Sequence, residues 1–227
     1  MVSVVIPAAG LSKRMLADRN KQYMMLGGRP ILAHTIEKFE QIDAVREIIV
    51  VAAPDEVDFC REKVVNRFEC KKVKAVVPGG ATRQHSVFNG LQQTDPQAEV
   101  VLVHDGVRPF VRTEMLEAFI RQLSVHQALV MAVPEKNSIA RINGGLIAER
   151  IRREDVWEMQ TPQGFQRELL VRAFETHQDR LDEFTDDASL VSATGADVSI
   201  FTGDYLNIKI TTPEDLLLGE AILEMMR

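Results

Sequence analysis

Four short segments combine small residues with charge, and each lies at or just after an apolar, β-branched run. After Val2–Ile6 comes Pro7-Ala8-Ala9-Gly10, then Leu11-Ser12-Lys13-Arg14-Met15 and, a few residues on, Lys21-Gln22. Small side chains at a strand end let backbone N–H groups reach an anion, and Lys13, Arg14 and Lys21 add positive charge, which suits a triphosphate. Taken alone, a tight turn with solvated cations reads the same way. Gly79-Gly80-Ala81-Thr82-Arg83-Gln84-His85-Ser86 follows Val73–Val77, with glycines that permit close backbone approach. His104-Asp105-Gly106-Val107-Arg108-Pro109 follows Val100–Val103 and offers a carboxylate and a guanidinium to a metal, a ribose or a phosphate. A lone Asp at a strand end is more often a turn former or helix cap. Asn207-Ile208-Lys209 sets a lysine in an apolar run, where it needs an edge position or an anionic ligand.

Other familiar chemistry is absent from the sequence. There is no GxxxxGK[ST] P-loop and no GxGxxG dinucleotide fingerprint. The five histidines show no ligand spacing, and His104 reads as packed or hydrogen-bonded rather than catalytic. Thr185-Asp186-Asp187 reads as an N-cap cluster ahead of a helix. Cys60 and Cys70 form no CxxC and are expected to be reduced, structural thiols.

The elements that must position these segments alternate along the chain. Strands are expected at Val2–Ile6, Glu47–Val51, Val73–Val77, Val100–Val103, Leu129–Val133, Val198–Phe201 and Asn207–Thr211. Helices are expected over 30–41, 55–67, 83–93, 113–125, 166–177, 186–194 and 213–226, the last opened by Thr212, Pro213 and Asp215 as a capping signal. Alternation of this kind predicts an α/β fold, a mostly parallel sheet with helices on both faces, whose ligands bind beyond the carboxyl ends of the strands. One segment departs from the pattern. Residues 135–160 are polar and charged, with Ile139–Ile142 and Leu146–Ile151 flanking Asn143-Gly144-Gly145, a hairpin signal. Such a hairpin has too little apolar surface to pack on its own core, so it is expected to project as an arm stabilised by a partner subunit. With no linker or repeat, residues 1–227 read as a single domain.

Composition narrows the partners. Twenty-seven Lys and Arg against 33 Asp and Glu leave a net charge of −6, which argues against a nucleic-acid-coating surface. No apolar run approaches the ~20 residues of a membrane span, and the segment MVSVVIPAAG lacks a basic n-region and stops at Pro7, like a buried strand. A cytoplasmic protein is expected.

The blocks PAAGLSKRM, KQ, GGATRQHSV, HDGVRPF, EDVWEMQTPQGF, TDDASLV and NIKITTPEDL together resemble the 2-C-methyl-D-erythritol 4-phosphate cytidylyltransferase family, in family order over nearly the whole chain. The resemblance implies a Rossmann-like fold and transfer of CMP from CTP to the substrate's phosphate with release of pyrophosphate, in the non-mevalonate route to isoprenoids. It also implies dependence on Mg²⁺ and a homodimer whose arm reaches into the partner's site. Carried over by motif, Arg14 and Lys21, with Lys13 beside them, would serve the triphosphate. Ala8, Ala9, Gly10, Gly80 and Ser86 would hold the cytidine, and Asp105 and Arg108 would lie between nucleotide and acceptor. Ser138, Arg153, Thr161, Thr185 and Lys209 would surround the methylerythritol phosphate, Ser138 and Arg153 coming from the other chain; Arg14, Lys21, Arg153 and Lys209 are the expected catalytic cations.

Two positions depart from the family pattern. Ser12 stands where Gly is frequent, and Ala81 stands where many members carry an acidic residue. Three rivals compete with the reading. Ribitol 5-phosphate cytidylyltransferases typically have Ala-Gly-Gly at Ala8-Ala9-Gly10 and lack the Arg and Trp of Arg153-Glu154-Asp155-Val156-Trp157. A non-catalytic nucleotide-binding regulator would tolerate loss of Arg14, Lys21 or Lys209, all of which are present. A nicotinamide-dependent oxidoreductase would need the missing glycine fingerprint.

Overall fold

A computed structural model describes residues 1–10 and 20–226. Strand β1 (Val2–Ala8) starts the central sheet, and a short ribbon of β2 (Met25–Leu26) and β3 (Arg29–Pro30) leads into α1 (Ile31–Glu40). Next come β4 (Val45–Ala52), the single turn α2 (Val57–Cys60), β5 (Val73–Pro78) and α3 (Arg83–Leu91). They are followed by β6 (Val100–Val103), α4 (Thr113–Gln122) and β7 (Ala128–Pro134). The arm strands β8 (Ile139–Asn143) and β9 (Leu146–Ile151) precede β10 (Trp157–Gln166). The last elements are α5 (Arg167–Thr176), α6 (Asp187–Ser192), β11 (Ser199–Thr202) and α7 (Pro213–Met225).

Seven strands form one sheet in the order β11-β7-β10-β6-β1-β4-β5. Every neighbouring pair is parallel except those of β10, which runs antiparallel to both β6 and β7. Strand pleating sends alternate residues to opposite faces. Val4 and Ile6 meet Leu32, Ile36 and Phe39 of α1 and Leu116 and Phe119 of α4. Val5 instead joins Val87 and Leu91 of α3, Leu170 and Phe174 of α5 and Leu190 of α6. The continuous apolar runs therefore serve two cores. A third cluster seats α7, through Ile222, against Leu26, Ile31, Phe110 and Ile210. As expected, Thr212 and Asp215 close a full capping box behind Pro213.

Three expectations need correction. Residues 207–211 are not a strand: Asn207 N donates to Asp204 O and Ile210 N to Val107 O, isolated bonds that lay the segment along the loop after β6. The segment Trp157–Gln166 is a strand that no apolar pattern announces. Gln160, Thr161 and Gln163 are buried there, and Gln160 and Gln163 reach their hydrogen-bond partners through their side chains. The expected helix over 55–67 is broken into a 3₁₀ turn (Pro54–Glu56), α2 and a π-helical turn (Arg61–Asn66).

The arm forms as a hairpin. Among the described residues its strands pair only with each other, and its turn places Gly144 (φ 56°) and Gly145 (φ 80°) at the left-handed positions, one residue beyond Asn143. Ile142, Leu146 and Ile147 lie exposed on it.

Candidate active site

The carboxyl ends of β1, β4 and β5 and the loop after β6 surround a cleft of about 550 Å³. Ala8, Ala9, Gly10, Lys21, Gly80, Ser86, Asp105 and Lys209 all line it, so eight of the residues singled out in the sequence converge. Lys13 and Arg14 lie outside the described residues.

Small size is a packing requirement on one wall. A Cβ built on Gly79 would stand 2.5 Å from Ala9 Cβ and 2.9 Å from Ser86 Oγ, so the two loops approach only because Gly79 has no side chain. Ser86 Oγ accepts from Gly80 N (3.1 Å) and donates to Thr82 O (3.0 Å), which spends its proton inside the loop. Ser86 Oγ is therefore left with one lone pair and no free proton. Thr82 caps α3, accepting from His85 N, and the helix starts at the cleft. On the opposite wall Gln22 is buried and donates to Ala8 O at 2.6 Å, fixing the carbonyl that ends β1.

The polar centre is Asp105. Its Oδ2 lies 2.8 Å from Lys209 Nζ and 3.6 Å from Arg108 Nε, and its Oδ1 lies 3.4 Å from Arg83 Nε. Burial works against its charge, but Arg83, Lys209 and Arg108 outweigh it and hold the carboxyl well below the usual carboxylate range. Three positive side chains surround Asp105, and even with Arg83 shared with the buried Asp187 they outnumber the carboxylates, which suits an incoming phosphate. Arg108 is anchored by donation to Asn207 O (2.8 Å), and Asn207 Nδ2 in turn donates to Thr161 O (2.9 Å).

His104 sits beneath this centre, fully buried, and burial pushes its pKa down to about 4. The neutral ring must donate from Nε2 to Arg108 O (3.0 Å), leaving Nδ1 to accept from the Thr161 hydroxyl (3.1 Å). Thr161 Oγ1 then accepts from Asp105 N (3.1 Å). The expectation that His104 is packed and hydrogen-bonded holds. Thr161 is likewise buried in this network, beneath the cleft surface.

The remaining candidates lie apart. Thr185 is exposed on the segment ahead of α6, and Asp186, not Thr185, is the N-cap, accepting from Ser189 N. Ser138 and Arg153 are on the arm, exposed, and Arg153 pairs with Glu154 (3.8 Å) and donates to Lys136 O (3.4 Å). Neither Ser138 nor Arg153 is among the described residues that line the cleft.

Arg83 is the residue that sequence reasoning passed over. It lines the cleft, approaches Asp105, and lies 2.9 Å from the fully buried Asp187 through Nη2. Burial opposes its charge, yet Asp187 and Asp105 hold its pKa above the usual guanidinium value. One signal was available. Arg83 opens α3, where a cation opposes the helix dipole, so its presence there asks for anionic partners.

Among the described residues no group of three or more His, Cys, Asp or Glu converges as metal ligands. The carboxylates lining the cleft are Asp55 and Asp105. Mg²⁺ commonly takes one or two carboxylates together with substrate phosphates, so Asp55 and Asp105 are the residues here that could hold it.

Residues 2–225 match the family model described as 2-C-methyl-D-erythritol 4-phosphate cytidylyltransferase. The chain is 46% identical over 225 residues to the protein of that name from Geotalea uraniireducens, covering 98% of this chain and 97% of the relative. It is 43% identical over 227 residues to that of Alkaliphilus metalliredigens, covering 100% and 94%. The crystal structure of 4-diphosphocytidyl-2C-methyl-D-erythritol synthase from Anaerococcus prevotii is similar with a TM-score of 0.85 at 33% identity, over 98% of this chain and 96% of that one.

Proposed function

Because the chain belongs to the 2-C-methyl-D-erythritol 4-phosphate cytidylyltransferase family, we propose that it transfers CMP from CTP to the phosphate of 2-C-methyl-D-erythritol 4-phosphate, releasing pyrophosphate, in non-mevalonate isoprenoid synthesis. The observation that carries this reading is Asp105, held by three cations, in a cleft walled by Ala8-Ala9-Gly10 and Gly80.

An acceptor phosphate oxygen attacks the α-phosphorus of CTP, the new P–O bond forms, and the bond to the β-phosphate oxygen breaks with its electrons leaving on pyrophosphate. A phosphate monoester is already anionic at neutral pH, so no general base is needed and a neutral, buried His104 is no obstacle. Transfer of this kind depends on alignment and charge neutralisation. Backbone groups of Ala8, Ala9, Gly10 and Gly80, with Ser86, hold the cytidine, and Lys13, Arg14 and Lys21 hold the triphosphate. Asp105 orients Lys209 and Arg108 toward the acceptor, with Thr161 fixing the Asp105 backbone and Thr185 at the acceptor's edge. Mg²⁺ bound through the triphosphate, beside Asp105 and Asp55, would add charge neutralisation at the phosphates.

The acceptor site is completed by a second copy of the chain. Ser138 of the partner subunit and Arg153 of the partner subunit supply what Ser138 and Arg153 in cis do not reach. No helix among the described residues is long and apolar enough to cross a membrane, and we place the enzyme in the cytoplasm, free of nucleic acid.

The test is pyrophosphate release from CTP with 2-C-methyl-D-erythritol 4-phosphate or ribitol 5-phosphate as acceptor, and with UTP replacing CTP. The expected result is Mg²⁺-dependent release with the first acceptor and CTP only. A site that accepts from the cytosine amino group leaves an unpaired carbonyl with UTP. Equal turnover with ribitol 5-phosphate would move the chain to the sister activity.

A further inference from the structure

Asp187 is fully buried, and neither carboxylate oxygen has a hydrogen-bond partner among the described residues. Its neighbour is Arg83, whose Nη2 lies 2.9 Å from Oδ2, at ion-pair distance without hydrogen-bond alignment. A carboxylate buried without hydrogen bonds is costly, and an isosteric neutral residue would fold more easily there. Its presence asks for a reason beyond stability.

The other end of Arg83 supplies one. Nε lies 3.4 Å from Asp105 Oδ1, while Lys209 and Arg108 take the opposite oxygen, Oδ2. Arg83 Nη1 also donates to Gln84 Oε1 (2.8 Å), and Gln84 Nε2 donates to Asp186 O (2.9 Å). Gln163 completes the frame, donating to Asp186 Oδ2 and accepting from Ala188 N, both at 2.8 Å. One guanidinium therefore ties the start of α3, the start of α6 and the end of β6 together.

We infer that Arg83 is a positioning residue for the transfer, held by Asp187 so that it fixes the Asp105 carboxylate under Lys209 and Arg108. The inference rests on the proposed reaction but not on any contact between Arg83 and substrate. A planar fork with separate nitrogens facing separate carboxylates spans this gap; a lysine offers a single point charge. Without Arg83, Oδ1 of Asp105 loses its restraint, and the carboxylate can rotate away from the geometry that presents Lys209.

The experiment separates positioning from simple neutralisation of Asp187. Arg83→Gln strands a buried carboxylate, so both Tm and kcat should fall. Arg83→Gln with Asp187→Asn removes both charges. It should recover most of the Tm while kcat stays lowered by about 10²-fold, the scale of a misplaced reacting group. Recovery of kcat along with Tm would overturn the inference and leave Arg83 a structural counter-ion. Should the double variant fail to regain Tm, Arg83→Lys decides. It keeps the charge on Asp187, and a wild-type kcat in it would equally reject positioning. Wild-type turnover with CTP and methylerythritol phosphate, measured alongside, tests the reaction itself, so the two failures remain distinct.

Discussion

Lys209 Nζ sits 2.8 Å from Asp105 Oδ2, and the lysine is more exposed than the carboxylate it pairs with. The buried acid thus aims a solvent-reaching cation into the cleft, with Arg83 and Arg108 sharing the restraint.

Lys209→Ala should lower kcat/KM for the acceptor by about 10²–10³-fold, the scale for loss of one preorganised contact to developing charge. Arg83 and Arg108 still neutralise Asp105, so folding should be nearly unaffected. Steady-state kinetics beside a thermal melt checks both halves. An unchanged acceptor KM and kcat would remove Lys209 from the site.

Lys21 lines the same cleft, in the turn whose Gln22 holds the Ala8 carbonyl. Lys21→Ala should reduce kcat by roughly 10²–10³-fold, with little effect on Tm. Arg14→Ala, by the family motif, should match it. A variant with normal kcat would mean that the triphosphate lies elsewhere.

Much of this site is legible as strand-end composition. Ala8-Ala9-Gly10, Gly80 and Asp105 follow runs apolar enough to be buried strands, and buried parallel strands converge their carboxyl ends on one cleft. What escapes is the framework supplied by polar residues. Gln160, Thr161 and Gln163 are buried in β10 because each finds a partner from a distant segment, and no local pattern encodes those partners. The same holds for Arg83, whose two carboxylates, Asp105 and Asp187, follow it in the chain by 22 and 104 positions. Lys209 stands out in the sequence as a lysine in an apolar run that needs an edge position or an anionic ligand; in the fold it pairs with Asp105 and lies in no strand. Its segment makes single bonds to loops where a ladder was expected.

Gly79→Ala tests the close approach of the two nucleotide-side loops. The added Cβ would press on Ala9 Cβ and Ser86 Oγ, and such overpacking typically costs 1–3 kcal/mol. Separation of the loops should raise KM for CTP by about tenfold or more, while the acceptor KM changes little. An unaltered KM for CTP would show that Ala9 and Ser86 do not shape the cytidine pocket.

Acid should weaken the fold through the buried His104 and the half-buried His34. Burial lowers the His104 pKa to about 4, and burial, opposed by a bond to Leu26 O, also lowers that of His34. Below about pH 6.5 the unfolded chain binds protons that the folded one refuses, so stability falls with pH. For His104 the loss accumulates down to about pH 4 and then stops. Asp105 acts in a separate window. Its depressed pKa gives stability that is complete above about pH 4 and is lost only in stronger acid. Denaturant unfolding at pH 7, 5.5 and 4.5 should show a decline that His104→Asn flattens in part. His34 keeps a further share, and Asp187, whose carboxyl burial pushes above the usual carboxylate value, acts in the opposite direction. An identical slope in the variant would contradict a neutral His104.

The arm gives the most decisive prediction about assembly. Arg153 is exposed and, among the described residues, bonds within the arm and its base, at Glu154 and Lys136, whereas Lys209 lies in the cleft of its own chain. If Arg153 of the partner subunit completes each site, Arg153→Ala and Lys209→Ala homodimers should both be nearly inactive, since every site lacks one cation. A mixed dimer then differs sharply. One site combines the Lys209→Ala cleft with the Arg153→Ala arm and carries both defects. The other combines an intact cleft with an intact arm. With independent sites, activity per mixed dimer should return to about half of wild type. Were Arg153 to act in cis, each site would keep one defect and nothing would be rescued. Mixed dimers isolated with two affinity tags, assayed for pyrophosphate release, distinguish the cases. Absence of rescue in verified mixed dimers would reject the exchanged arm while leaving the cytidylyl transfer itself intact.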